Sequence, residues 1–335
     1  MRKRLLAVGN TKVRSDVPVA SPRVNKASLY FRESGHHHQH LVRRTMTLEP
    51  IRTAVVHPID TDSLLGAIEA AKANLIIPVL VGPASKIRAA ANQAKIEISA
   101  YELVPTEHSY AAAAQAVELA CDHRVEALMK GSLHTDEFMG AIVHEEKLRT
   151  ARRISHVFVI DAPCYPRLLF VTDAAINIYP TVEEKVDIVQ NAIGLAHILS
   201  LDCPKVAILS AVETVSPKIK STVDAAVLCK MADRGQITGG ILDGPLAFDN
   251  AVSANAAKVK GIVSPVAGRA DIFVVPDLEA GNMLAKQLEY LAGAQMAGIA
   301  LGARVPIVLT SRADSTPARL ASCAIALLLA RNANG

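Results

Sequence analysis

Tryptophan is absent from the chain, and phenylalanine and tyrosine occur six times each in 335 residues. A core without large rings must be built from Ala, Val, Ile and Leu, which suits stacked helices and strands better than a disulfide-stapled module. Cysteine is scarce as well. Cys121, Cys164, Cys203, Cys229 and Cys323 are an odd number, widely scattered, and no CxxC or Cys/His pair has metal-ligand spacing. They read as reduced thiols of a cytosolic protein. No apolar run reaches the roughly 18–20 residues of a membrane span, and LASCAIALLLA (320–330) reads as a buried terminal helix. The first residues lack the continuous apolar segment of a secretory signal. Also missing are a GxGxxG after a strand, a GxxxxGK[ST] phosphate loop, a GxSxG elbow, and an HExxH or paired-Asp motif. These gaps argue against a dinucleotide oxidoreductase, a P-loop enzyme, an α/β-hydrolase and a catalytic metal.

The net charge of +4 is a property of one end of the chain. Residues 1–47 hold ten Lys or Arg against two acids, so the remaining 26 basic and 30 acidic residues leave the body at −4. The body therefore lacks the basic footprint of a nucleic-acid binder. The tail has Pro18, Pro22, many Arg and Ser, and no sustained periodicity, which predicts disorder over 1–47. Its HHHQH (36–40) reads as a local histidine run in a solvated tail rather than a metal site.

From Arg52 onward, short β-branched runs alternate with longer Ala-rich stretches whose apolar residues fall three and four apart. The strands expected are TAVV (53–56), PVLVG (78–82), EALMK (126–130), HVFVI (156–160), LLFVT (168–172), KVAILS (205–210), ITGGIL (237–242), DIFVV (271–275) and PIVLT (306–310). Strands apolar throughout and separated by helices imply a mainly parallel sheet covered on both faces. HVFVI and LLFVT have no helix between them and read as an antiparallel pair. The length of this region favours two α/β lobes over one doubly wound sheet.

In an open α/β sheet, ligands bind beyond the carboxyl ends of strands, where the next helix presents free N–H groups. VLTSRADST (308–316) places Ser311 and Arg312 in such a turn, with Asp314 at the helix entrance, Ser315 or Thr316 as cap and Pro317 in the first turn. MKGSLHTDEFM (129–139) offers Lys130, Gly131, Ser132, His134 and Thr135 as a loose anion cradle. TDAAINIYPT (172–181) supplies Asn177, DGPLAFDNAVS (243–253) supplies Asp243, and PDLEAGNM (276–283) supplies Asn282. KLRTARRISH (147–156) sets Arg149, Arg152 and Arg153 ahead of a strand. Together these loops point to a polyanionic ligand.

DGPLAFDNAVS, KGIVSPVAGRADIFVVPDLEAGNM, LAGAQMAGIALG (291–302) and VLTSRADST resemble the phosphate acetyltransferase and phosphate butyryltransferase family, with TDAAINIYPT and MKGSLHT in agreement. The resemblance runs from about Pro50 to Ala330 and leaves 1–47 unexplained. It implies a two-lobed α/β fold like the isocitrate and isopropylmalate dehydrogenases. A discontinuous first lobe would span 48–148 and 298–335, with a second at 149–297 and the site in the cleft between. It implies transfer of an acyl group between coenzyme A and inorganic phosphate by a cytoplasmic homodimer or larger oligomer. Coenzyme A would be a substrate rather than a cofactor, and no nucleic acid or membrane would be bound. The family's serine–arginine pair falls on Ser311 and Arg312. Its acidic residue several positions on falls at Ala318, so Asp314 is the nearest carboxylate. Met139 stands where acetyl-type members carry an arginine, and MKG with TSRADS leans toward the butyryl-like branch or toward the acetyltransferase domains attached to enoyl-hydratase-like segments; phosphate acetyltransferase is the first expectation and phosphate butyryltransferase the next. A non-catalytic acyl-CoA-sensing domain is the alternative. A decarboxylating dehydrogenase of this fold would need an acidic metal cluster and a nucleotide loop, neither of which is present.

Overall fold

The computed structural model of the chain describes residues 35–310 and 314–332. Among them are eleven strands: β1 (Ile51–Val56), β2 (Ile76–Gly82), β3 (Glu102–Pro105), β4 (Ala127–Lys130), β5 (Ser155–Asp161), β6 (Leu169–Thr172), β7 (Lys205–Leu209), β8 (Ile241–Leu246), β9 (Ile272–Val274), β10 (Gln295–Leu301) and β11 (Ile307–Val308). The helices are α1 (His36–Arg44), α2 (Thr61–Lys72), α3 (Ala84–Ala94), α4 (Ser109–Cys121), α5 (Thr135–His144), α6 (Val182–Ile198), α7 (Lys220–Asp233), α8 (Phe248–Val252), α9 (Ala254–Val259), α10 (Leu278–Ala292) and α11 (Thr316–Asn332).

All the strands join one sheet in the order β3-β2-β1-β4-β11-β10-β5-β6-β9-β7-β8. The first five are mutually parallel, as are β6, β9, β7 and β8. Between them, β10 runs antiparallel to both β11 and β5, and β5 runs antiparallel to β6 as its short connection implied. The two parallel sets therefore point in opposite directions, and register decides where their ends fall. Leu309 N donates to Gly298 O at 3.2 Å. Gly298 faces Phe158, and the neighbouring Val157 faces Thr172, the last residue of β6. Both sets thus present their carboxyl ends at one level of the sheet, facing each other across the seam. This α/β sheet, mainly parallel with helices on both faces, is the expected class.

The two faces are packed differently. On one, a continuous apolar cluster runs from Leu64, Ile68 and Ile87 through Ile325 and Leu327 of α11 to Ile193 and Leu228. On the other, the core is split. Ala112, Ala116, Phe138 and Ile142 of α4 and α5 cover the first strand set. Ala251, Ala257 and Ala285 of α8–α10 cover the second. Strand alternation assigns Val157 and Val159 to the continuous side and Ile160 to the split side, with Phe158 packed against the same cluster. A crevice between α5 and α10 follows from this division.

Local signals start the helices. Asp60, His108, Thr181 and Asp277 cap α2, α4, α6 and α10 by accepting from backbone N–H groups, Thr181 in a full capping box with Glu184. Ser315 Oγ accepts from Ala318 N at 3.4 Å at the start of α11. Three features depart from the sequence reading. Residues 36–44, expected to be disordered, form α1, whose His38 and Leu41 are buried; His38 Nε2 lies 3.0 Å from Val159 O. An amphipathic turn inside a basic tail escaped the compositional signal. Strand β8 begins at Ile241, because Gly239 at φ +85° still belongs to the preceding turn. Strands β3 and β10 lack continuous β-branched runs and were not anticipated. The lobe boundary expected at 297/298 falls within β10.

Candidate functional site

A cavity of about 410 Å³ opens in the crevice. Its wall combines Lys130, Leu133, His134 and Thr135 after β4 with Leu309, Thr310 and Asp314 after β11. His156 and Phe158 of β5 form its floor, and Ala175, Asn282 and Lys286 close the opposite side. Five sequence candidates thus converge: Lys130, His134, Thr135, Asn282 and Asp314. Ser311 and Arg312 lie outside the described residues; the chain on either side of them, Thr310 and Asp314, lines this cavity.

Each wall has a local cause. Gly131 N donates to Val56 O at 2.9 Å, and a Cβ on Gly131 would collide with that same oxygen, so the turn after β4 can tuck against β1 only with glycine there. The turn brings the Lys130 ammonium back over its own loop, 3.3 Å from Gly131 O and 3.2 Å from Leu133 O. Lys130 is buried to 9 % exposure. Helix α5 begins at the cavity with His134 as N-cap, and that side chain makes no capping bond. The positive end of α5 therefore faces the crevice uncapped by its own N-cap side chain. Across the gap, Asn282 Nδ2 donates to Ala174 O at 3.3 Å. Lys286 sits one turn further along α10, with Glu289 at 2.7 Å.

The floor holds the residue that the sequence reading missed. His156 is 1 % exposed, and burial draws its imidazole down to about 4, against the opposing pull of the Asp173 charge. The ring is therefore neutral near pH 7. It meets Phe158 edge to face, with centroids 4.3 Å apart at 80°. Its Nδ1 is buried with no hydrogen-bond partner among the described residues. The signal was the i, i+2 spacing of two rings on one face of a strand otherwise read as apolar. Lys286 was likewise legible as the i+4 neighbour of Asn282.

The other candidates lie elsewhere. Ser132 Oγ contacts Asp60 Oδ2 and Ser63 Oγ, fixing the start of α2. Asp243 sits half-buried on edge strand β8, four strands and about 19 Å from β5. Arg149, Arg152 and Asn177 line a second cavity, of about 510 Å³, at the far end of α5 beside Met139, Val143 and Arg153. Most polar groups there are engaged by protein. Arg149 donates to Val143 O from Nε (3.2 Å) and Nη2 (3.1 Å), closing the last turn of α5. Arg153 Nε donates to Asn177 Oδ1 at 2.5 Å, and its Nη1 pairs with Glu184 at 2.9 Å. Asn177 Nδ2 donates to Asp173 Oδ2 at 2.6 Å and Ile154 O at 3.0 Å. Arg152 is exposed and makes no ion pair among the described residues. No group of three or more His, Cys, Asp or Glu side chains placed to hold a metal occurs among the described residues.

Comparison with known proteins places this cleft in context. The family model for phosphate acetyl/butaryl transferase matches residues 107–327. A phosphate acetyltransferase of Rhizobium meliloti is 62 % identical over 282 residues, 84 % of this chain and 89 % of that protein. A phosphate butyryltransferase of Clostridium acetobutylicum is 40 % identical over 293 residues, 87 % of this chain and 97 % of the relative. The higher identity to the acetyltransferase agrees with the expected order, phosphate acetyltransferase first and phosphate butyryltransferase next. Among solved structures, a branched-chain phosphotransacylase from Enterococcus faecalis V583 superposes with a TM-score of 0.72 at 30 % identity, over 84 % of this chain and 99 % of the other. Since the matched segment runs from the entrance of α4 into α11 and so contains the crevice, the chain belongs to the phosphate acetyl/butaryl transferase family.

Proposed function

We propose that the chain catalyses the reversible transfer of a short acyl group between coenzyme A and inorganic phosphate, giving acyl phosphate and free coenzyme A from acetyl-CoA or butyryl-CoA. The observation that carries this reading is a cleft in which Lys130, Lys286 and the positive end of α5 face the chain that flanks Ser311 and Arg312. A phosphate oxygen attacks the thioester carbonyl carbon. The C–O bond forms, the C–S bond breaks, and the sulfur leaves with the electron pair and takes the proton carried by hydrogen phosphate. Negative charge grows on the carbonyl oxygen and the sulfur, so fixed donors are needed there. Lys130, the α5 N-terminus with Thr135 and His134, and Lys286 hold phosphate; Arg312 stabilises the oxyanion; Ser311 hydrogen-bonds at the thiol. Asp314 is the carboxylate placed to relay the proton in the reverse direction, where a thiol of ordinary pKa near about 8.5 must be activated. Transfer is direct, without an acyl-serine.

Arg152 receives the phosphates of coenzyme A at the far end of α5, where Arg149 shapes the site by closing the last turn of that helix. That helix has 10 residues and is about 15 Å long, a span for the pantetheine arm to follow. Asn282 orients the donor from the opposite wall, and the lobes meeting at the cleft are 48–148 with 298–335, and 149–297. No cofactor takes part beyond the two substrates. The exposed Ile178, Tyr179, Met283, Tyr290 and Leu291 support a homodimer. No helix among the described residues is long and apolar enough to cross a membrane, and the reduced cysteines favour the cytoplasm.

The test is an acyl-CoA panel with and without phosphate, following free thiol. Phosphate-dependent release is expected with acetyl-CoA, and Arg312→Ala lowers it roughly 10²-fold or more. Binding of acetyl-CoA with no phosphate-dependent release would replace this reading with that of an acyl-CoA sensor.

A further inference from the structure

We infer that His156 and Phe158 form the acyl subsite of the cleft, with the imidazole making the polar contact to the acyl carbonyl oxygen. The inference rests on the acyltransfer reading above and goes beyond it by assigning the uncharged part of the donor.

The walls of the cavity differ in kind. Lys130, Lys286 and the start of α5 suit an anion. The floor and its surroundings are Phe158, Leu133, Leu309 and Ala175, with one polar group among them, His156. A short acyl group has the matching pattern: an apolar tail and a single uncharged acceptor. A neutral imidazole offers one N–H donor and no charge. That fits a carbonyl oxygen better than a phosphate, which the two lysines attract.

The His156 ring is also held in place without a hydrogen-bond partner for its Nδ1 among the described residues. Burying a polar nitrogen with nothing to bond is unfavourable, yet Nδ1 is so buried among the described residues. Among the described residues Nδ1 has no acceptor, and we assign the proton to Nε2, which leaves that N–H to donate into the cleft. The opposite strand keeps space for the ring. A Cβ on Gly298 would lie 3.1 Å from His156 Nε2 and would collide with Leu309 O, so glycine allows both the close approach of β11 and the room beside the imidazole. Phe158 then limits depth, packing edge-on against His156 on the same strand face.

The experiment measures phosphate-dependent thiol release from acetyl-, propionyl- and butyryl-CoA by wild type, His156→Ala, His156→Asn and Phe158→Ala, with circular dichroism for each. Wild-type inactivity would sink the acyltransfer reading itself. Given an active wild type, His156→Ala is expected to lose about 10²-fold in kcat, with KM for phosphate unchanged, and His156→Asn to recover part of the loss through its amide donor. Phe158→Ala is expected to raise the butyryl-to-acetyl ratio of kcat/KM about tenfold or more. A folded His156→Ala with wild-type kcat, or a folded Phe158→Ala with an unchanged ratio, would overturn the assignment. Should His156→Ala fail to fold, the Phe158→Ala ratio decides alone.

Discussion

The two ends of α5 make an instructive pair. Each opens on a cavity of similar size, about 410 Å³ at the N-terminal end and about 510 Å³ at the C-terminal end. By charge alone, the C-terminal end is the better anion site, with Arg149, Arg152 and Arg153 at hand. The hydrogen bonds reverse that ranking. Arg149 closes the last turn of α5, and Arg153 holds Asn177 and Glu184, so two of the three guanidiniums are building material. At the N-terminal end, Lys130 reaches back to the carbonyls of Gly131 and Leu133, and a buried imidazole nitrogen of His156 has no partner among the described residues. What distinguishes a reaction site from a charged crevice is which groups have been left unsatisfied by the fold.

Mutation can break this contrast. The largest effect is expected from Lys130→Met, which removes the cation from the reacting end and should lower kcat of phosphate-dependent thiol release by about 10²-fold; an equal loss from Arg149→Met would erase the distinction. Next is a stability effect confined to the N-terminal end. The His156 imidazole sits at about 4 in the folded chain, below the ordinary 6.5. Between those values the unfolded chain binds the extra proton, so stability falls as pH drops from 6.5 toward 4, by up to about 1.4 kcal/mol per pH unit. The charge of Asp173, whose carboxylate accepts from the His156 backbone N–H at 3.2 Å, opposes the shift. Urea midpoints at pH 7 and 5 measure the slope, and His156→Asn should flatten it. A smaller effect is expected from Arg152→Ala: KM for acetyl-CoA rises about tenfold with kcat unchanged, as for binding equal in ground and transition states. The increment should shrink in high salt. Arg149→Ala should be smallest, costing about 1 kcal/mol of stability from the lost closure of α5 and less than about twofold in activity.

How much of this could be read from the letters alone follows from where each residue sits. Strands β1, β2, β4, β7 and β9 were legible because strands buried on both faces must be apolar throughout. Strand β3, at the sheet edge with Glu102 and Pro105 exposed, carries no such run. Strand β10 hid behind Ala297, Gly298 and Ala300, whose smallness serves close packing against its neighbours. Within the site, Lys130, Thr135, Asn282 and Asp314 were found because turn chemistry beyond a strand is local. Their convergence was not local. It depends on the register that brings Thr172, Val157, Phe158 and Leu309 to one level, and no spacing along the chain encodes that. The same gap explains Asn177 and the arginines, correctly noticed as polar groups near strand ends and placed by the fold around a different cavity.

Strand β10 carries one more lesson. Bonded along both edges, it splices the two strand sets into a single continuous beam. A mouth cut into such a beam has no loose joint at its base. The floor of the crevice is thus part of the same hydrogen-bonded sheet that carries both walls. On the acyl-subsite assignment proposed above, the Phe158 stop is then carried by the sheet itself rather than by either wall.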